Sequence, residues 1–554
     1  MSLSYLILFV LVLLLLRVLR IGRRPKGYPP GPPTIPLLGN YHLFPHKDVH
    51  LQFQEWAKQY GPIYSVMLGT KTLVVLSSAN AVKDLLDKKS GIYSDRQEMY
   101  VGQTLCSGDL RMLMMGYTPT WRYDGRLASR SKPLIIALTQ QRRMVHSLLN
   151  INSAKSYVPY QMLENKQMLH EMLIQPHLFL ENIRRYSNAL TTTMVFGWRS
   201  PEYEDQHLKQ LFEGFNEMAT ISQTGAATLI DLFPVLRNLP DFLLPAKKTA
   251  KDLHKREKDL YMTHWLNAKR AYAEGMIKPC FCVGMAEAQK VDGFSDDQAA
   301  YISGTLLEAG SDTTSSTLYG FIQAMLLFPD VQHKAQSEID RVCPDRLPTM
   351  DDEPHLQYIR GCVKESLRWM PTTILGAVPH AVSQDDWYMG YLIPKGAAVM
   401  NNVYTLNMDP ERYPNPRQFN PDRYKDDFKS VADSASDPDG TKRDQFTFGA
   451  GRRICPGMHV AERSLFLGIS RMLAAFDFQP ELDEKGRPIL PDPDKLTQGF
   501  VCMPQRFTAR ITPRSKEKAE MVEREWNEAE KAHLHPVTKQ WVDDPIGALP
   551  SRKT

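Results

Sequence analysis

Phe448-Gly449-Ala450-Gly451-Arg452-Arg453-Ile454-Cys455-Pro456-Gly457 places one cysteine in a glycine-rich loop, just before an apolar helical run that includes Leu465. Backbone N–H groups in such a loop and the positive end of the following helix both lower the pKa of a cysteine, so we expect a thiolate at Cys455. Glycines let a backbone approach a flat ligand closely, and Arg453 can pair with an acidic ligand group. An inert buried cysteine in a glycine-rich turn is the alternative.

A haem fits each part of this description, because it is flat and carries acidic propionates. The stretch matches the pattern Phe-x-x-Gly-x-Arg-x-Cys-x-Gly in full, and in this the chain resembles the cytochrome P450 family. The resemblance implies that Cys455 is the proximal thiolate ligand of the iron of a haem b. It also implies that the other residues of the pattern contact the cofactor, namely Phe448, Gly451, Arg453 and Gly457. Among them, Arg453 is expected to bind a propionate.

A second motif lies in the middle of a predicted helix that begins at Ser295, runs to Leu326 and ends before Phe328-Pro329. The residues 309–314 read Ala-Gly-Ser-Asp-Thr-Thr, in which the Gly, the Ser and the two Thr are locally poor helix formers, and the Ser and Thr hydroxyls compete for backbone carbonyls. A polar cluster at a helix start is the alternative, but apolar helical residues lie on both sides. The block resembles the oxygen-handling motif of P450s. That resemblance implies that Asp312 and Thr313 are the catalytic acid and alcohol that deliver protons during oxygen activation.

Two further motifs concern charged residues. Glu365 and Arg368 have opposite charges three residues apart on one helical face, which alone is typical of a surface pair. The resemblance implies that they form a buried triad with Arg423, which lies in the segment Phe419-Asn420-Pro421-Asp422-Arg423. It also implies that His380 contacts a haem propionate, although a lone histidine is as often structural.

An insertion interrupts one expected motif. In P450s a Trp and an Arg four residues apart both reach a propionate, and Trp121 and Arg142 match them only if residues 125–141 are removed. This segment of 17 residues contains Pro133, which a helix interior tolerates poorly. Since 17 × 3 = 51 nucleotides is a plausible length for a short fungal intron, we predict that residues 125–141 are a retained intron. A genuine surface loop that splits the helix is the alternative.

The N-terminus predicts attachment to a membrane. Residues 1–22 are almost uniformly apolar up to Ile21, near the ~20 residues of a bilayer-spanning helix, and arginines follow, so we expect a transmembrane signal anchor. A cleaved signal peptide is the alternative. Positive charge after the anchor places the rest of the chain in the cytosol. Residues 23–34 form a basic, proline-rich hinge, predicted to be a stiff extended arm. The expected location is the endoplasmic reticulum membrane, crossed once, as in microsomal P450s.

Length and composition indicate one large domain over residues 35–554. The chain has 554 residues, 43% hydrophobic, and no low-complexity linker follows residue 34. A formal net charge of +5 is small for this length, and no nucleic-acid partner is expected. Seven cysteines without a Cys-x-x-Cys pair favour a reducing compartment over a disulfide scaffold.

The resemblance implies the P450 fold, which is mainly α with small β-sheets. It also implies a monooxygenase that inserts one oxygen atom from O2 into an apolar organic substrate. No dinucleotide fingerprint is present, so the electrons are expected from NADPH through a separate cytochrome P450 reductase, with cytochrome b5 as a further candidate partner. The residues 307–312 resemble fungal microsomal P450s near O-methylsterigmatocystin oxidoreductase, which suggests secondary metabolism or xenobiotic oxidation. The alternatives are a redox-independent haem-thiolate isomerase or dehydratase, and a non-catalytic haem-binding protein if the insertion is real.

Overall fold

The computed structural model describes residues 3–45, 47–116, 141–142, 144–146, 149–223 and 225–545. Helices predominate in this part of the chain and strands are short, as expected. The helices are α1 (Leu3–Arg20), α2 (Val49–Tyr60), α3 (Ala79–Val82), α4 (Ile151–Ser156), α5 (Val158–Ile174), α6 (Phe179–Phe196), α7 (Gln206–Gln223), α8 (Gly225–Leu232), α9 (Pro245–Ala273), α10 (Phe281–Asp292), α11 (Asp296–Leu327), α12 (Pro329–Val342), α13 (Gln357–Trp369), α14 (Val403–Asn407), α15 (Val431–Ser436), α16 (Met458–Ala475) and α17 (Lys516–His533).

Within the described ranges, the strands form three small sheets. They are β1 (Ile63–Leu68), β2 (Lys71–Leu76), β3 (Asp95–Arg96), β4 (His380–Ala381), β5 (Asp386–Tyr388), β6 (Tyr391–Ile393), β7 (Ala398–Asn401), β8 (Phe476–Gln479) and β9 (Arg510–Pro513). The largest sheet has the order β1-β2-β7-β4-β3, in which only β2 and β7 run parallel. The register pairs Arg96 with His380, so two basic side chains start from adjacent strands.

The long helix α11 runs through the core, and its observed bounds confirm the predicted ones. Ser295 caps its first turn in a capping box with Gln298, which satisfies backbone N–H groups that would otherwise lack partners. Its 32 residues span about 48 Å at about 1.5 Å per residue. The neighbouring helix α6 packs tightly where α11 has Gly310, since a Cβ there would come within 2.6 Å of the Thr191 hydroxyl. Ser187 of α6 donates a hydrogen bond to the Gly310 carbonyl at 2.8 Å.

The proline-rich arm lies against the sheet. The Ser65 backbone N–H donates to the Pro30 carbonyl at 2.7 Å, and the Ser65 hydroxyl donates to the Pro29 carbonyl at 2.6 Å. Arg24 donates to the Ser65 hydroxyl at 2.9 Å and to the Gly31 carbonyl at 3.0 Å, so this arginine fastens the arm as well as adding positive charge. Before the arm, α1 exposes a row of apolar side chains from Tyr5 to Leu19. Across the described residues, no helix combines the length and hydrophobicity required to cross a bilayer.

Candidate active site

The cysteine loop is a tight turn against which a neighbouring segment packs closely. The Cys455 backbone N–H donates to the Phe448 carbonyl at 2.9 Å, which closes the loop on itself. Gly451 has a φ of +62°, and a Cβ at this position would lie 1.9 Å from the Leu86 carbonyl oxygen. Its N–H donates to the Asp87 carboxylate at 2.6 Å. Gly451 is therefore required both by its backbone conformation and by the close approach of a neighbouring segment.

The electrostatics of Cys455 differ from the sequence expectation. The Gly457 backbone N–H and the charge of Arg142 do lower the pKa of the thiol, but burial is the larger effect and raises it above its ordinary value. The prediction of a lowered pKa was therefore wrong for the protein alone, because desolvation penalises the thiolate more than the nearby donors favour it. A metal ion bound to the sulfur would reverse this balance, since coordination deprotonates a thiol.

Basic side chains surround one side of the loop. Arg453 is 8% exposed and donates to the carbonyls of Ser94 at 2.9 Å and Met115 at 2.5 Å. His380 binds the Tyr93 carbonyl through Nδ1 at 2.7 Å. Burial, together with the positive charges of Arg96, Arg453 and Arg142, lowers the pKa of His380 to about 3.

Three of the predicted propionate contacts, Arg142, His380 and Arg453, are therefore brought together. Arg142 lies in helical backbone and donates to the Arg452 carbonyl at 2.6 Å, and helical backbone at residues 141–142 and 144–146 agrees with the expected resumption of the helix. Trp121 and residues 125–140 lie outside the described residues. Sequence reasoning missed Arg96, and its pairing with His380 across β3 and β4 could not be read from the chain.

In the middle of α11, one face of the helix is not covered by the core. Ala309 is exposed, and Leu306, Gly310 and Thr313 are partly exposed, at the i, i+3, i+4 and i+7 spacing of one helical face. The Thr313 hydroxyl donates to the Ala309 carbonyl at 2.7 Å. The helix remains continuous here, so the predicted loosening takes the form of this side-chain hydrogen bond and not of a break.

Asp312 lies beside that face in an environment that favours its neutral form. Burial raises the pKa of Asp312 to about 6, against the opposing effects of the Arg184 charge and of the nearby Ser316 hydroxyl. A carboxyl group with a pKa near neutrality can both release and regain a proton at physiological pH. The predicted acid and alcohol thus adjoin each other on the exposed stretch of α11.

The predicted charge triad is confirmed. Arg368 donates to Glu365 through Nε and Nη2, both at 2.7 Å, and the two residues are 0% exposed. Arg423 approaches Glu365 at 3.3 Å, and the Asn420 backbone N–H donates to it at 2.8 Å. The triad adjoins the cysteine loop, because the Thr447 hydroxyl, one residue before Phe448, donates to the Leu367 carbonyl of α13 at 2.8 Å.

An apolar cavity of about 370 Å³ is bordered by residues outside α11, among them Val101, Ile221 and Phe500. Ile374 and Leu375 border it, whereas Leu306 and Ala309 of α11 do not. Cys502 belongs to its wall, and burial together with the Asp312 carboxylate raises the pKa of that thiol to about 12, so the cavity adjoins the acidic residue.

The model of the family described as "Cytochrome P450" matches residues 29–510. This chain belongs to the cytochrome P450 family. It is 51% identical over 538 residues to "Cytochrome P450 monooxygenase virE" of Hypocrea virens, which covers 97% of this chain and 94% of the relative. "Cytochrome P450 monooxygenase fogE" of Aspergillus ruber is 46% identical over 547 residues, covering 99% and 98%. Among solved structures, a zebra fish cytochrome P450 with progesterone has a TM-score of 0.65 and 25% identity, covering 84% of this chain and 99% of that one.

The residues of this P450 fit the haem that its family binds. Cys455 supplies one soft sulfur donor in a glycine-rich loop. Next to it lie Arg96, Arg142 and Arg453, whose positive charges are suited to binding propionates. The uncovered face of α11 carries only a methyl group at Ala309, where a larger side chain would obstruct a planar macrocycle. The expected P450 fold is also confirmed.

Proposed function

We propose that this chain is a haem-thiolate monooxygenase that inserts one oxygen atom from O2 into an apolar organic substrate. The observation that carries the proposal is that α11 presents Asp312 and Thr313 beside an uncovered face in a protein that also holds a sulfur donor, Cys455, in a glycine-rich loop. A redox-independent isomerase or dehydratase would have no need of such a proton-handling pair. The relatives in Hypocrea virens and Aspergillus ruber carry the name monooxygenase, which agrees with this activity.

The chain's own residues prepare the site for this reaction. When bound, the haem would supply oxygen activation, which a thiolate ligand promotes by donating electron density. Cys455 would hold the iron, and Arg453, Arg142 and His380 would hold the propionates. The Asp312 carboxyl supplies protons, and the Thr313 hydroxyl passes them on by exchanging its hydrogen bond to the Ala309 carbonyl. The apolar surroundings exclude bulk water, which would otherwise protonate the site indiscriminately.

The apolar cavity beside Asp312 indicates the substrate class. Its walls include Ile374, Leu375 and Phe500, and most of the lining surface is apolar, with Lys71, Glu98 and Asp231 also bordering it. Such a lining binds a hydrophobic small molecule and orients it through a small number of polar contacts. We place the reaction in fungal secondary metabolism, in agreement with the fungal origin of the similar monooxygenases.

The electrons come, in this proposal, from NADPH through a separate cytochrome P450 reductase, with cytochrome b5 as a second possible donor. We further propose that α1 inserts into the endoplasmic reticulum membrane and that the catalytic domain faces the cytosol. The row of exposed apolar side chains on α1 supports membrane attachment, since water-exposed apolar rows of this size are unfavourable. The proline-rich arm, fastened by Arg24, would then fix the orientation of the domain.

The test is turnover by the purified protein reconstituted with a fungal P450 reductase and NADPH. A substrate is first found by screening hydrophobic compounds for a shift of the haem spin state. The proposal expects NADPH and O2 consumption coupled to a product that carries one added oxygen atom, labelled when 18O2 is used. Conversion of the substrate without NADPH, or a product that takes its oxygen from water, would contradict it.

A further inference from the structure

His50 is a buried histidine in the first turn of α2, and it borders the apolar cavity. Its residue is only 5% exposed, and its ring meets the Tyr404 ring edge-on with centroids 4.7 Å apart. Among the residues that the structure describes, no partner forms a hydrogen bond with either ring nitrogen of His50. Buried polar side chains are nearly always hydrogen-bonded, so an imidazole without a partner at the wall of a cavity indicates a ligand.

The charged side chains that border the same cavity already have partners. The Lys71 ammonium donates to the Glu98 carbonyl at 2.8 Å. The Glu98 carboxylate accepts from Arg237 at 2.7 and 2.9 Å. The Asp231 carboxylate accepts from the Val101 backbone N–H at 3.1 Å. Each of these charged groups is therefore bonded within the protein, whereas the histidine is not.

The imidazole of His50 is neutral at physiological pH. Burial lowers the pKa of His50 below its ordinary value; the Asp48 and Asp494 carboxylates oppose this, and the Arg417 charge adds to it. A neutral imidazole has one N–H donor and one acceptor nitrogen. It can therefore bond to a hydroxyl or to a carbonyl oxygen, but it brings no positive charge to hold a carboxylate.

Only one side of the His50 ring has room for such a ligand. A second void next to the ring, bordered by Trp369, Tyr404 and Asp494, has a volume of about 10 Å³. That is space for about one water molecule. An oxygen atom attached to an apolar body must therefore reach the ring from the cavity of about 370 Å³.

The wall of this cavity leads from His50 towards the candidate active site. Asp48, two residues before His50, exchanges hydrogen bonds with Gln498: its N–H donates to the Gln498 amide oxygen at 3.2 Å, and the Gln498 amide nitrogen donates to its carboxylate at 3.1 Å. Gln498 and Cys502 both border the cavity. The Asp312 and Asp48 carboxylates both raise the pKa of the Cys502 thiol, so Cys502 lies between the acid of α11 and the start of α2.

We propose that His50 is a specificity-determining residue whose neutral imidazole hydrogen-bonds a hydroxyl or carbonyl oxygen of an otherwise apolar substrate. The inference rests on the proposed monooxygenase function and narrows its substrate class. The apolar body of the substrate fills the cavity, and the oxygen held at His50 fixes which carbon lies near Asp312 and Thr313. A compound that lacks this oxygen leaves the imidazole unpaired in apolar surroundings, which lowers its affinity.

The test compares His50→Phe and His50→Gln with the wild-type holoenzyme. Phenylalanine keeps an aromatic ring against Tyr404 but has no polar atom, whereas glutamine keeps a donor and an acceptor. His264→Phe is the matched control. His264 is also buried, stacks on Phe196 and Trp198 with centroids 5.0 and 5.1 Å away, and does not border the cavity.

The probes are two pairs of compounds that differ by one oxygen atom, 4-butylphenol with butylbenzene and 2-decanone with decane. Haem content is measured first for each protein. Equilibrium dialysis of the radiolabelled probes against the ferric holoenzyme then gives the dissociation constants, and it requires neither turnover nor a change at the iron. The measured quantity is the affinity ratio, the dissociation constant of the hydrocarbon divided by that of its oxygen-bearing partner.

The proposal expects the affinity ratio of at least one pair to be about 3–10-fold lower in His50→Phe than in the wild type, the effect of losing one hydrogen bond. His50→Gln should retain most of the wild-type ratio, and His264→Phe should match the wild type. Binding of the plain hydrocarbons should change little in His50→Phe. If His50→Phe is purified without haem, His50→Leu carries the test with the same expectation.

An affinity ratio that is unchanged for both pairs in a haem-replete His50→Phe or His50→Leu would overturn the proposal. A wild type that binds neither oxygen-bearing probe would also overturn it, as would an equal fall in His264→Phe, which would show a general effect of replacing a buried histidine. Failure of the proposed function itself looks different. The wild type would then give no NADPH-dependent product, while the dialysis would still report on His50.

Discussion

Glu365→Ala removes the centre of the charge triad behind the cysteine loop. The carboxylate accepts two hydrogen bonds from Arg368 at 2.7 Å, one from the Asn420 backbone at 2.8 Å and a longer one from Arg423 at 3.3 Å. The substitution leaves the Arg368 guanidinium, which is 0% exposed, without a counter-charge. Its remaining partners are neutral carbonyls, those of Asn407 and Gln418.

An uncompensated buried charge of this kind costs about 3–5 kcal/mol of the free energy of unfolding. Proteins have only about 5–15 kcal/mol in total, so the variant should lose about a fifth or more of its stability. The segment that loses its support is α13, which accepts the hydrogen bond from Thr447 before the cysteine loop. We therefore expect the loop to lose its geometry and the protein to be purified with little haem.

Haem content by the reduced-CO difference spectrum and the free energy of unfolding in urea measure these two effects. Glu55→Ala is the control, because Glu55 pairs with Lys58 on the surface at 63% exposure, and such pairs contribute about 0–1 kcal/mol. A Glu365→Ala protein with full haem content and a free energy of unfolding within about 1 kcal/mol of this control would refute the reasoning.

Three other predictions concern the active site and the insertion. Asp312→Asn should lower kcat about 10²-fold or more with little change in substrate binding. Because the pKa of Asp312 is raised to about 6, wild-type turnover should fall as the pH rises through that value. The pH profile of the variant should be flat over the same range. Gly451→Ala should abolish haem binding, since its Cβ would lie 1.9 Å from the Leu86 carbonyl, whereas Gly390→Ala, at a similar positive φ with nothing within 4 Å, should retain it; equal haem contents would contradict this. A cDNA read across residues 125–141 should lack that segment, and a read that contains it disproves the intron.

The parts of the site that could be predicted from the sequence are those in which a few neighbouring residues carry the chemistry. The cysteine loop needs its glycines and Arg453 within ten residues, and the bounds of α11 follow from the Ser295 cap and the proline after Phe328. The charge triad spans 58 residues but was found because each of its parts belongs to a motif.

The parts that could not be predicted depend on contacts between distant segments. Arg111 lies 146 residues from Glu257 and 197 from Glu308, and no local pattern indicates that they meet. The sign of the pKa shift at Cys455 was missed for a related reason: loop donors are visible in a sequence, whereas burial is a property of the whole fold.

The C-terminal region was not predicted in detail either. Beyond the family match at residue 510, α17 packs on α5, where Lys166 pairs with Glu525 at 2.7 Å. Further on, the Gln540 side chain accepts from the Arg199 backbone at 2.9 Å. These contacts cover a buried charge cluster that includes Glu164, which again joins residues far apart in the chain.

The reduced-CO difference spectrum of the purified wild type and of Cys455→Ser tests the assignment of Cys455 as the haem ligand most directly. The wild type should show the Soret band at the position of a thiolate-ligated haem, and Cys455→Ser, which keeps the size of the side chain but replaces the sulfur, should lose that band. A wild-type protein loaded with haem that lacks the thiolate band, or a Cys455→Ser protein that retains it, would contradict the assignment.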